Sequence, residues 1–162
     1  MVRYLSIDPA IKNLAMVKMT IDDKISNIDF NLIDLADGKK VKKCKFEDLI
    51  VRLIWELKTM NVDDVDLILI ENNPSFKNPT AKSIEMVIYG FFLEKGHNVK
   101  LVSPCRKLGK RKDKQTYKER KAESIKLTYE NIDTIDKKRL QKFEKRDDLC
   151  DCIMMAKAYH DK

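Results

Sequence analysis

After Asp37-Gly38 the spacing of apolar side chains in this chain changes from the period of a strand to that of a helix, and few folds accommodate such a switch there. Residues 2–8 alternate and are rich in strand formers, Leu14 to Ile21 reads as a second strand, and a third falls within Ile25–Leu35. The Pro9-Ala10-Ile11-Lys12-Asn13 segment is the turn between the first two, and Asp37-Gly38 ends the third. Beyond it, Phe46, Leu49, Ile50, Leu53, Ile54, Leu57 and Met60 recur at helical spacing. The apolar run Val65–Ile70 is a buried strand that stops at Glu71, a helix follows over Thr80–Lys95 with Gly96 as its terminator, and Val99–Val102 is a last strand before Pro104. Residues 105–116 form a basic loop expected to be mobile, and helical pattern resumes at Tyr117–Tyr129 and again from Asp147 to the end. Three leading strands followed by alternating helix and strand predict an α/β fold, a mixed sheet covered by helices, with residues 1–162 as one domain.

The same pattern places carboxylates. Asp8 ends the first strand and Glu71 ends the most apolar one, positions where a buried charge is costly without a cation or a metal. A third acidic element is Lys145-Arg146-Asp147-Asp148-Leu149-Cys150-Asp151. Asp147 and Asp148 at a helix start are explained by the helix dipole alone, which accounts less well for Asp151. With Leu149, Cys152, Ile153 and Ala156 defining the core stripe at about 100° per residue, Asp148 and Asp151 fall together at its edge, whereas Asp147 points further toward solvent and is the weaker candidate. Asp8, Glu71, Asp148 and Asp151 without convergent histidines favour a hard cation, Mg²⁺ with Mn²⁺ able to substitute. Two such ions about 4 Å apart can activate a water and stabilise the leaving oxygen in phosphodiester cleavage. Clustered without metal, the carboxylates would repel one another.

Charge supplies a partner. Residues 100–146 hold 17 Lys+Arg against 7 Asp+Glu, a net of +10, so the rest of the chain carries −3 of the overall +7. A basic face beside an acidic body suits a polyanion, although a solvated lysine-rich surface would look the same. Cys44, Cys105, Cys150 and Cys152 form no CxxC pair and have only His97 and His160 for company, so they are expected to be buried or free thiols rather than zinc ligands. Cys150 and Cys152, two apart, are expected on different sides of their helix. No run reaches the ~18 apolar residues of a membrane span, and Asp8 interrupts the first apolar run too early for a signal peptide. The protein is therefore expected inside the cell and off the membrane.

Three motifs in order, Ser6-Ile7-Asp8-Pro9-Ala10-Ile11-Lys12-Asn13, Leu69-Ile70-Glu71-Asn72-Asn73 and Lys145-Arg146-Asp147-Asp148-Leu149-Cys150-Asp151, resemble those of the RuvC-type Holliday junction resolvases of the RNase H-like superfamily, and in particular the poxvirus resolvases. The resemblance covers nearly the whole chain. It implies an RNase H-like mixed five-stranded sheet flanked by helices, metal ligation by Asp8, Glu71, Asp148 and Asp151, and paired cutting of four-way and branched DNA by a homodimer. It also implies a basic catalytic residue in the helix before the last aspartates, matched by Lys121 with Lys118 as rival. A viral source would place the protein in the host cytoplasm, with the virion as a second location. Bacterial relatives have glycine where this chain has Ala10. The expected dimer helix is Thr80–Lys95, through Ile84, Val87, Ile88, Phe91 and Phe92, and Phe76 matches an aromatic near the junction centre.

Two other readings compete. An RNase H-type ribonuclease cutting RNA–DNA hybrids would use the same carboxylates, and a non-catalytic nucleic-acid-binding protein would use the basic segment and leave the acids unexplained. An actin-like or sugar-kinase ATPase needs two domains and glycine-rich phosphate loops, which a chain with 4 glycines does not provide.

Overall fold

The computed structural model describes residues 1–76, 78–103 and 116–162. The expected basic loop lies almost wholly outside these residues. Five strands form one sheet in the order β3-β2-β1-β4-β5. The strands β1 (Val2–Asp8), β2 (Leu14–Ile21) and β3 (Ile25–Ile33) are antiparallel neighbours. β4 (Leu67–Glu71) and β5 (Val99–Val102) add in parallel to β1. Parallel pairing needs a long crossover, and helices α1 (Phe46–Thr59) and α2 (Pro79–Glu94) supply it.

Each face of the sheet carries its own core. On one, Leu5, Ile7, Ile68 and Ile70 pack against α1, through Leu49, Leu53 and Leu57, and against α2, through Ile84, Ile88 and Phe92. Burying each leucine of α1 is worth about 1.5–3 kcal/mol, which is why a helix without a side-chain N-cap holds. On the other, Tyr4, Val17, Leu69 and Val102 pack against α5 (Arg146–His160), which α3 (Tyr117–Asn131) covers in turn. A sheet below and a helix above leave α5 little solvent, so its buried residues are Leu149, Cys150, Cys152, Ile153, Met154, Met155 and Ala156. The thiols are as expected: Cys150 and Cys152, two apart, leave the helix in different directions, and both are buried outside any disulfide.

Local signals stop and start the helices. Asn78 accepts from the Ala81 amide at 3.0 Å, with Pro79 in the first turn of α2. At the other end Gly96, at φ +79°, donates to Leu93 and His97 donates to Phe92, both at 3.0 Å, a Schellman closure. Thr116 and Glu119 cap α3 reciprocally. A short helix α4 (Thr134–Leu140), capped by Asp133, fills what the periodicity leaves unassigned before α5. Ala10 is not among the positive-φ residues, so the turn after Asp8 needs no glycine. No helix among the described residues is long and apolar enough to cross a membrane.

Candidate active site

The parallel core of the sheet sets the site. β1, β4 and β5 all end at the same edge, because Ile7 pairs with Ile70 and Glu71 with Val102. Side chains alternate along a strand. Ser6 donates to the Cys152 carbonyl at 2.7 Å, so Asp8, two residues on, faces α5 as well. Leu69 belongs to the α5-side core, so Glu71 faces the same helix. Two carboxylates thus stand side by side where adjacent strands end, beneath the first turns of α5.

From above, α5 contributes Asp148 and Asp151, one turn apart. Ligand oxygens of Asp8, Asp148 and Asp151 lie within 4.8 Å of one another, a grouping that could hold a metal ion. Glu71, 7% exposed, is the neighbouring strand end rather than a member of this tight set. Lys121 of α3 enters the cluster: its Nζ donates to Asp148 at 2.8 Å and to Asp151 at 2.9 Å. It also lies 3.2 Å from Asp147, which is the most exposed of the three aspartates, at 25% against 18% and 15%, as helical phase predicts. A lysine stem is long enough to draw in a carboxylate that helical phase alone points outward. Lys118, the rival, is exposed and forms no ion pair among the described residues.

The electrostatics follow from one ammonium serving several acids. Burial disfavours the charge on Lys121, but Asp151 and Asp148 outweigh it and hold its pKa above the ordinary lysine value. Asp148 moves up too. Its burial is the largest cause, opposed by Lys121 and reinforced by Asp147 and Asp8, since each carboxylate has only a share of the cation. Burial pushes the Cys150 thiol up to about 12, so it stays protonated and is no competitor as a ligand.

Three supporting groups gave no signal in the sequence. Ser124, fully buried on α3, donates to the second oxygen of Asp151 at 2.7 Å. Glu85, fully buried on α2, accepts from the Asn73 amide at 2.9 Å and pairs with Lys82, which donates to Asn72 at 2.8 Å. Together Glu85 and Lys82 pin the turn that follows Glu71. A serine in a charged helix and a glutamate in an apolar one have no pattern that marks them; only the fold gives them a partner. The exposed Phe76, at 82%, lies in the same turn region.

An RNase H-like sheet with this acidic edge defines the RuvC-type class of folds. A fowlpox virus resolvase solved with substrate Holliday junction DNA superposes with a TM-score of 0.69 at 24% identity, over 98% of each chain. Thermus thermophilus RuvC in complex with a Holliday junction substrate gives 0.68 at 10% identity, over 98% of this chain and 93% of that one. The chain belongs to the family described as Poxvirus A22 protein, whose model matches residues 3–162. An uncharacterized protein, L451, of Acanthamoeba polyphaga mimivirus is 33% identical over 119 residues, 59% of this chain. The matched stretch spans 29% of that relative's length.

Proposed function

We propose that this protein is a metal-dependent endonuclease that resolves four-way and branched DNA. The observation that carries the reading is the convergence of Asp8, Asp148 and Asp151 from a strand end and a helix start onto one point, with Glu71 beside it. Three hard oxygen donors suit Mg²⁺, with Mn²⁺ able to replace it, and the place already stabilises a cation in the form of the Lys121 ammonium. Bound there, the metal supplies activation of a water and stabilisation of the oxygen released from phosphorus. Water adds to the phosphorus, the bond to the 3′ oxygen breaks, and that oxygen takes a proton, leaving ends that a ligase can join.

The chain's own residues do the rest. Asp8 reaches the site from the rigid centre of the sheet, and Asp148 and Asp151 from a helix clamped between sheet and α3. Ser124 fixes the rotamer of Asp151. Lys121, held at the cluster by Asp148 and Asp151, is the cation that would face the scissile phosphate and its developing charge. Exposed cations at Lys138, Lys142, Lys145 and Arg146 lead along the surface into α5 and suit the DNA backbone.

Resolution needs two cuts related by symmetry, and a homodimer provides them. The core takes Ile84, Ile88 and Phe92 out of the expected interface. What α2 offers a partner is Met86, 46% exposed, and Leu93, 52% exposed, with Gly90 between them and Val87 and Phe91 at the flanks. A junction cut by the wild type but untouched by Asp8→Asn, with both proteins binding it, supports the reading. Equal cutting by the two, or binding without any cutting in Mg²⁺ or Mn²⁺, overturns it. Preferential cleavage of RNA–DNA hybrid by a monomer would favour the ribonuclease alternative. We place the protein in the host cytoplasm.

A further inference from the structure

Composition gives the chain outside residues 100–146 a slightly negative balance, and that average conceals five lysines in seven positions: Lys39, Lys40, Lys42, Lys43 and Lys45. All five are exposed, and none forms an ion pair among the described residues. The acids near them are engaged elsewhere. Asp34 lies 4.0 Å from Lys12, and Asp37 lies 3.0 Å from Arg52, with Lys39 as its weaker, through-space neighbour. Glu47 and Asp48 sit in the first turn of α1, where they face its dipole.

These lysines stand on a folded base. Both oxygens of Asp34 accept backbone amides, from Ala36 and Gly38 at 2.9 Å. Leu35 and Ala36 are buried, and Val41–Lys43 form a 3-10 turn. Residues three apart eclipse in such a turn, so Val41 and Cys44 both pack inward on the α1/α2-side core while the lysines between and around them face solvent. The base is tied to the site: the Leu35 amide donates at 2.8 Å to the carbonyl of Ile11, in the turn that follows Asp8. Ile33, where β3 ends, pairs with Leu14, which places the segment at the same end of the sheet as Asp8 and Glu71.

We infer that the Lys39–Lys45 platform is a second nucleic-acid surface, which holds the phosphate backbone of one duplex arm of the branched substrate against the sheet edge that carries Asp8. The inference rests on the nuclease reading above and adds to it a surface on the opposite face of the sheet from α3, α4 and α5. Five exposed cations on a folded, hydrogen-bonded base cost little ordering when phosphates arrive, and they release counterions that otherwise condense on the DNA. A substrate held on both faces of the sheet is centred on the edge where the carboxylates converge.

The test compares two triple variants of the full chain with equal charge loss. Lys42→Gln/Lys43→Gln/Lys45→Gln removes part of the platform. Lys24→Gln/Lys58→Gln/Lys95→Gln removes three exposed cations from the opposite end of the molecule. Binding of a synthetic four-way junction is measured by anisotropy in EDTA across a salt series, and single-turnover cutting in Mg²⁺ at saturating protein. The platform variant is expected to bind about 10-fold or more weakly and to flatten the logarithmic salt slope by about 2–3, at roughly 0.9 for each phosphate no longer neutralised. Its cutting rate at saturation should match the wild type, and the far-end variant should bind within about twofold. Equal weakening in both triples, or none in either, overturns the platform while leaving a wild type that cuts junctions in place as a nuclease. A wild type that neither binds nor cuts the junction defeats both readings. Junction-dependent protection of Lys42 and Lys43 from amine acetylation, read by mass spectrometry, is the direct form of the same result.

Discussion

The two ends of the sheet handle charge in opposite ways. At the end away from the acids, several charges are paired one to one. The amino terminus meets Asp22 at 3.2 Å, Arg3 makes a bidentate contact with Asp66, and Lys18 lies 3.3 Å from Asp64. At the other end three aspartates share one ammonium, while five lysines nearby form no ion pair among the described residues. Paired charges at a surface contribute little and ask for nothing. Unbalanced ones are held in place by the fold against their own repulsion, and what would balance them comes from outside: a cation for the acids, phosphates for the lysines.

The largest test of that contrast is Asp8→Asn. The substitution keeps shape and removes one unit of the excess negative charge, so cutting of a four-way junction should fall at least about 10³-fold. Apo stability should hold or rise, because a source of repulsion is gone. Melting with and without Mg²⁺ checks the second half: metal should raise the midpoint of the wild type and lose most of that effect in the variant.

Next comes Lys121→Met. Without the ammonium, Asp147, Asp148 and Asp151 confront one another partly buried, and the apo protein should melt lower by several degrees. Mg²⁺ should restore most of that loss, since it answers the same repulsion. Cutting should drop about 10²-fold even with metal saturating, because the ammonium serves the transition state. A stability loss that metal does not rescue would show that Lys121 is only a strut between α3 and α5.

How much of this could be read without a fold depends on what kind of signal each residue gives. Asp8 and Glu71 are legible because an apolar strand that stops on a carboxylate is conspicuous, and parallel neighbours end together. Asp148 and Asp151 are legible through helical phase against Leu149 and Ile153. Phase ranks Asp147 rightly as the most exposed of the three but is silent on its ion pair, because it describes where a Cβ points, not how far a lysine on another helix reaches. That Cys150 and Cys152 are both buried although they point to different sides follows from the cover of α5 on two sides, which one helix cannot reveal. The broad apolar surface of α2 is visible in its spacing, but which stripe the core takes is not, and Ile84, Ile88 and Phe92 went to the core. The lysine platform is hidden when charge is averaged over long segments.

Ser124→Ala is a smaller intervention at the same end. It deletes one fully buried hydroxyl and leaves an Asp151 oxygen without that donor, a cost of about 1–3 kcal/mol in stability. Asp151 keeps Lys121, so the carboxylate stays but its orientation loosens. We expect cutting to fall about 10-fold with junction binding unchanged, and Mn²⁺ affinity, followed by electron paramagnetic resonance, to weaken alongside. Ser124→Thr, which retains the hydroxyl, should recover part of the metal affinity. A variant that is less stable but binds Mn²⁺ normally would reduce Ser124 to packing.

At the far end, Arg3→Ala should have the smallest effect, and its sign with pH is fixed. The hydrogen bonds from Arg3 hold the Asp66 carboxyl below the usual carboxylate range. A lowered folded-state pKa contributes stability above the unfolded value, near pH 4, and that contribution is lost as pH falls through the folded one. The wild type and Arg3→Ala should therefore differ slightly at neutral pH and converge in acid, with junction cutting and Mg²⁺ dependence identical at every pH where both are folded. Both partners are largely solvent-exposed, so salt should narrow the neutral-pH gap as well. A change in metal dependence on removing Arg3 would mean that the two ends of the sheet are electrostatically coupled, and the division between a balanced end and an unbalanced one would fail.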